Sequence, residues 1–197
     1  MNVPGFYGSI LDPAKSYFMK KNILIFGLIM GAVLSANMVY TVNLCYHSGN
    51  FKGNDVVGYA AMIVIFSFIF IAVRHYRNKF NGGSIGFGSA FKMGALIAFI
   101  AATCYVLTWL LYYYLFVPDF LDKYIPYVLN SAASGGATPA EVAQKTSDMD
   151  KFKEMYKNPL FVVLVTYSEV FPVGLIVSLI SALILKKKAQ NPDPVVS

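Results

Sequence analysis

The chain has 197 residues, 57% of them hydrophobic and 13% charged, with mean hydropathy +0.57. A water-soluble domain averages about 25% charged residues, so this composition excludes an ordinary soluble fold. The net charge of +6 does not signal nucleic acid, because the basic residues flank apolar blocks.

Residues 1–21 read as a polar lead-in. Asp12 and Pro13 stand as N-cap and first helical residue of an interfacial helix that feeds the first span. That apolar run starts near Ile23, is too long for a signal-peptide core and has no small-residue cleavage site after it. Four blocks approach the ~20 residues a helix needs to cross hydrocarbon: about 23–44, 56–73, 91–116 and 160–185. The expected fold is therefore all-α: a polytopic membrane protein, a single four-transmembrane-helix bundle with an amphipathic helical insert between spans three and four.

Orientation follows from lysine and arginine. One side holds Lys15, Lys20 and Lys21, then Arg74, Arg77, Lys79 and Lys92, then Lys186, Lys187 and Lys188. The other holds Lys52, Lys123, Lys145, Lys151, Lys153 and Lys157, diluted by the acidic residues of the 117–159 connection. The positive-inside rule places the richer side, and with it both termini, in the cytoplasm. Tyr112, Tyr113 and Tyr114 then fall at the outer interface as an aromatic belt.

The connection 117–159 opens with a short helix near Pro118–Tyr124. It breaks over Ser131–Gly136 and restarts at the capping box Thr138-Pro139-Ala140-Glu141. Val142, Met149, Phe152 and Tyr156 share one face of the restarted helix, which Asn158-Pro159 ends. That face predicts a surface helix, a packed lid rather than a partner-binding helix, lying on the bilayer or on the other helices.

Small residues repeat every four positions in three spans: Gly27, Gly31 and Ser35; Gly94, Ala98 and Ala102; Gly174, Ser178 and Ala182. Span two offers only Gly58, Ala60 and Ala61. Helices in lipid associate through such stripes, within one chain or between copies.

Glu169 is the one acidic residue inside an expected span. A carboxylate in hydrocarbon costs roughly 2.5–3.5 kcal/mol on insertion scales, so it must be protonated, paired or hydrated. Pro172 leaves the Ser168 carbonyl without its helical donor beside it. Depth counting sets Asn37 of span one and Thr108 of span three level with Glu169, with Trp109 adjacent as an indole donor. These four residues, Glu169, Pro172, Asn37 and Thr108, form the candidate intramembrane polar site. Glu169 reads as a protonated or hydrogen-bonded carboxyl that locks the bundle, as a site for a proton, an ion or a small polar substrate, or as a docking point for a partner helix.

The glycine-rich connection Asn81–Ser89 has neither a phosphate-loop ending nor a preceding strand, and reads as a tight turn at the headgroups. Arg74, Arg77, Lys79 and Lys92 around it are candidate lipid-headgroup contacts. His47 and His75 lie on opposite sides and cannot share a metal. Cys45 and Cys104 make no metal motif, and no catalytic constellation or cofactor motif is present.

Several of these stretches resemble the domain-of-unknown-function family 4199. They are Tyr76–Ile85 with Phe87–Lys92, Tyr105–Trp109 with the tyrosines after it, and Pro118-Asp119-Phe120. The most specific is Glu169-Val170-Phe171-Pro172-Val173-Gly174-Leu175, continuing through Ser178–Leu185 into the lysines. The resemblance implies a four-span inner-membrane protein of Bacteroidota with no assigned activity or functional residue. It leaves three roles open: an accessory or structural membrane protein working with lipids, copies of itself or a membrane-protein partner; a proton- or ion-coupled transporter centred on Glu169; and a lipid-binding or lipid-modifying protein.

Overall fold

The computed structural model describes residues 13–51 and 55–187. Asp12, Lys52 and Lys188, which entered the capping and charge arguments, lie outside the described residues. Seven helices follow one another: α1 (Pro13–Ser48), α2 (Asp55–Phe66), α3 (Phe68–Lys79), α4 (Phe87–Leu115), α5 (Phe120–Ser134), α6 (Pro139–Met155) and α7 (Pro159–Leu185). Among the described residues, four helical segments are long and apolar enough to cross a membrane: α1, α2 with α3, α4 and α7. The chain is thus an all-α polytopic bundle.

The lead-in and span one form one continuous helix of 36 residues. Span two runs on to Lys79 and is interrupted at Ser67, whose hydroxyl donates to the Val64 carbonyl at 2.6 Å. The expected break over Ser131–Gly136 shrinks to a turn at Gly135 and Gly136, because α5 continues to Ser134 despite Pro126 within it. Asn158 and Pro159 do not close the outer helix but open the next one. The Asn158 side chain accepts from the Leu160 N–H at 3.0 Å, and Pro159 occupies the first turn of α7, where its missing N–H costs nothing.

α4 is the central staff, packed by α1 on one side and α7 on the other, with α3 closing the fourth position. All three small-residue stripes are consumed in these seams. A Cβ on Gly31 would stand 2.6 Å from Cys104 Cβ and 3.3 Å from Ala101 Cα; one on Gly174 would stand 2.6 Å from Ala98 Cβ. Backbones this close gain dispersion that lipid chains cannot match. Span two packs with other residues than its glycine and alanines: Phe66, Ile69, Ala72 and Val73 are fully buried, while nothing lies within 4 Å of the position a Gly58 side chain would take.

At one end of the bundle, α5 and α6 form the lid. The capping box is complete: Thr138 N–H donates to Glu141 Oε2 at 2.7 Å, and Glu141 N–H donates to Thr138 Oγ1 at 3.3 Å. Val142, Met149, Phe152 and Tyr156 face inward as their spacing predicts, and Lys153 bridges to Asp122 of α5. Tyr113 is not part of an interfacial belt. It is buried beneath the lid against Trp109 and Tyr156, with ring centroids 5.6 and 5.0 Å apart. Phe51 seals the same cluster against Phe120 and Tyr124.

The opposite end gathers the start of α1, the α3–α4 connection and the end of α7. Tyr76 donates to the Lys15 carbonyl at 3.2 Å, and Ile85 exchanges two backbone hydrogen bonds with Lys187. Gly82 and Gly83 make the turn at φ 60° and 76°, a region that side chains disfavour.

Candidate functional site

Three aliphatic hydroxyls of α7 satisfy themselves on their own helix, while the Tyr167 hydroxyl pairs with Thr103 of α4 at 2.7 Å. Thr166 donates to the Val162 carbonyl, Ser168 to Val165 and Ser178 to Gly174, each at 2.7 Å. A carboxyl has no such recourse, because it accepts and the helical carbonyls also accept. Glu169 stands ten residues into α7 on its exposed face, with Ser168 and Pro172 exposed beside it. No hydrogen bond or ion pair joins Glu169 to another described residue.

The other members of the expected layer lie elsewhere. Asn37 is exposed on α1, where its carbonyl accepts from Thr41 Oγ1 at 2.9 Å. Thr108 turns towards α1, donates to the Cys104 carbonyl at 2.8 Å, and lines a lateral groove of about 520 Å³ with Ser35, Tyr40 and Asn43. No hydrogen bond joins any two of Asn37, Thr108 and Glu169, and α4 stands between the helices that carry Asn37 and Glu169. The Trp109 indole serves a different purpose, donating to the Tyr156 hydroxyl at 2.8 Å. Burial pushes the Tyr156 phenol up to about 12, the indole donor opposes that shift, and the nearby Glu169 charge adds to it. Glu169 is therefore within electrostatic reach of the lid.

The four basic candidates also part company. Arg77 turns inward and donates from Nη1 to the Leu185 carbonyl at 3.1 Å, capping the end of α7. Lys92 is exposed in the second turn of α4. Arg74 and Lys79 line a cavity of about 350 Å³ along α3, together with His75 and Asn78. His75 also borders a second cavity of about 240 Å³ between α1 and α3, lined by Lys21, Asn22, Phe26 and Phe80 among others. Two ring contacts hold His75 in place, Phe80 at 5.7 Å and Phe26 at 6.4 Å. Sequence reasoning missed Lys21, Asn22 and His75 as neighbours. The available signal was a run of polar residues at equal depth on two spans, and only helix pairing turns that into a site.

Fold and site together define a class: a four-span helical membrane protein with a docked lid at one end and a basic, grooved face at the other. The chain belongs to the DUF4199 family, proteins of unknown function, whose family model matches residues 25–187. No curated protein and no solved structure is detectably similar to it.

Proposed function

We propose that this protein is a non-catalytic accessory protein of the bacterial inner membrane, with both termini cytoplasmic, that works by docking α7 against a hydrogen-bonding helix of a membrane-protein partner. One observation carries the reading. The small-residue stripes are spent inside the chain, while Glu169 stands unpartnered on an exposed face at membrane depth. A carboxyl there is expensive against lipid and is relieved by a helix that brings donors. The orientation rests on the end of the bundle where Lys15, Arg74, Arg77, Lys79 and Lys187 gather.

Native mass spectrometry of protein extracted gently from its own membrane tests this. Wild type carries a stoichiometric protein partner, Glu169→Gln keeps part of it and Glu169→Leu loses it. A monomer carrying only lipid overturns the docking role. The same carboxyl, with its field reaching Tyr156, supports one second reading, proton or ion coupling at Glu169. Flux into liposomes by the purified chain, abolished by Glu169→Gln with the fold intact, would select it.

A further inference from the structure

The basic end holds a longer feature than either of its cavities alone. The cavity bordered by Lys21, Asn22 and His75 reaches Phe26, and Phe26 also lines a wholly apolar groove of about 320 Å³ formed with Ile29, Met30, Val33, Ile65 and Phe68. From Asn22 to Val33 the feature follows α1 for about 16 Å at 1.5 Å per residue. That matches one leaflet, half of a hydrocarbon core about 30 Å thick. Ile65 of α2 and Phe68 of α3, on either side of the interruption at Ser67, line the groove from span two. A polar mouth at a membrane interface, continued by an apolar channel one leaflet long, has the proportions of a phospholipid.

Polar chemistry narrows the ligand. Lys21 is exposed at the mouth, and Arg74 and Lys79 are exposed along the adjoining cavity, with His75 lining both. Three cations so placed favour a phosphate, and an anionic headgroup over a zwitterionic one. Asn22 adds an independent demand. It is 6% exposed, it lines the mouth, and its Oδ1 finds no hydrogen-bond partner. A buried acceptor left unpaired is unfavourable, and a ligand donor relieves it. A phosphate carries no donor, but a headgroup hydroxyl does.

We propose that the seam between α1 and α2–α3 is a binding site for an anionic glycerophospholipid with a hydroxyl-bearing headgroup, of the phosphatidylglycerol type. Arg74, Lys79 and Lys21 hold the phosphate, Asn22 accepts from the headgroup hydroxyl, and one acyl chain lies along Ile29, Met30 and Val33. Arg77 and Lys92 take no part, the first being committed to α7 and the second lying outside both cavities.

The test is native mass spectrometry of the full chain in detergent, titrated in parallel with phosphatidylglycerol, phosphatidylethanolamine, phosphatidylcholine and soluble glycerophosphate. Phosphatidylglycerol binds best. Arg74→Gln and Lys79→Gln each weaken it roughly fivefold, the equivalent of about 1 kcal/mol per surface cation. Asn22→Leu narrows the preference for phosphatidylglycerol over phosphatidylcholine. Val33→Trp, which fills the apolar groove from its exposed side, weakens all three lipids. Lys145→Gln at the lid end controls for net charge and leaves binding unchanged. Arg74, Lys79 and Lys145 are exposed, so their variants keep the core intact. Equal retention of phosphatidylglycerol and phosphatidylcholine overturns the proposal. So does an equal loss in Lys145→Gln, or full competition by glycerophosphate, which would make this a soluble-anion site.

Discussion

The two packed regions of this protein use opposite chemistry. Around α4 the seams set Gly31 against Ala101 and Gly174 against Ala98, and aliphatic residues such as Met30, Leu34, Ile69 and Ile97 fill the space between these close approaches. Under the lid it is built from Trp109, Tyr113, Tyr156, Phe120 and Phe152. The surroundings explain the contrast. Lipid supplies no hydrophobic drive between helices, so cohesion there needs backbones close enough for dispersion, which only small residues permit. The lid faces water, where burying a large ring is itself favourable and where Tyr and Trp also need a polar partner. The Trp109–Tyr156 hydrogen bond and the Tyr114 hydroxyl on the Tyr156 carbonyl supply it.

If that contrast holds, adding volume should be ruinous in one region and removing a polar atom costly in the other. Gly174→Val is expected to have the largest effect. Its Cβ would meet Ala98 Cβ at 2.6 Å and the Phe66 ring at 2.9 Å, an overpacking worth roughly 3 kcal/mol. Thermal unfolding in detergent should show a lower midpoint and a poor folded yield, whereas an unchanged midpoint would mean the α4–α7 seam is not tight.

Tyr156→Phe keeps the ring and removes the hydroxyl, leaving the Trp109 N–H buried without an acceptor, for about 1–2 kcal/mol. Trp109 is the sole tryptophan, so its fluorescence reports the change directly. A blue shift with little loss of bundle stability is expected, and an unmoved spectrum would detach the indole from the lid.

Acid should loosen the lid before the bundle. The Tyr46 hydroxyl is the main cause holding Asp119 below the ordinary carboxylate range, and the Thr138 backbone N–H does the same for Glu141. A carboxyl depressed in the folded state takes up its proton more easily when unfolded. Its contribution is present at neutral pH and fades as pH falls through the folded value. Limited proteolysis should therefore cut within α5 or α6 sooner once pH falls below about 4, and a flat profile would remove these two carboxyls from lid docking. Alkali acts on other groups. Tyr156, raised by burial, keeps its contribution below about 10 and loses it on the way to about 12.

The smallest effect belongs to Lys153→Ala. Its bridge to Asp122 ties α6 to α5 but is solvent-exposed, so its contribution is small. A visible but slight rise in proteolysis of the lid is expected; a large one would show that charge rather than ring packing seats it.

Much of this architecture was legible in the residues. The number of spans follows from hydropathy and bilayer thickness. The lid helix follows from Thr138, Pro139 and Glu141 and from the spacing of Phe152 and Tyr156, because caps and helical faces are local properties. The small-residue stripes named the packing faces of α1, α4 and α7, since close approach has a compositional requirement. Chain order and depth counting alone left partners undetermined. They set Asn37, Thr108 and Glu169 level, but rotation about each helix axis is free until helices pack, and packing turned Glu169 outward. The same rotation assigned Arg77 to α7 and placed Lys21, Asn22 and His75 around one mouth. Depth in the membrane is a one-dimensional quantity written along the chain, whereas azimuth is set only by which helix lies against which.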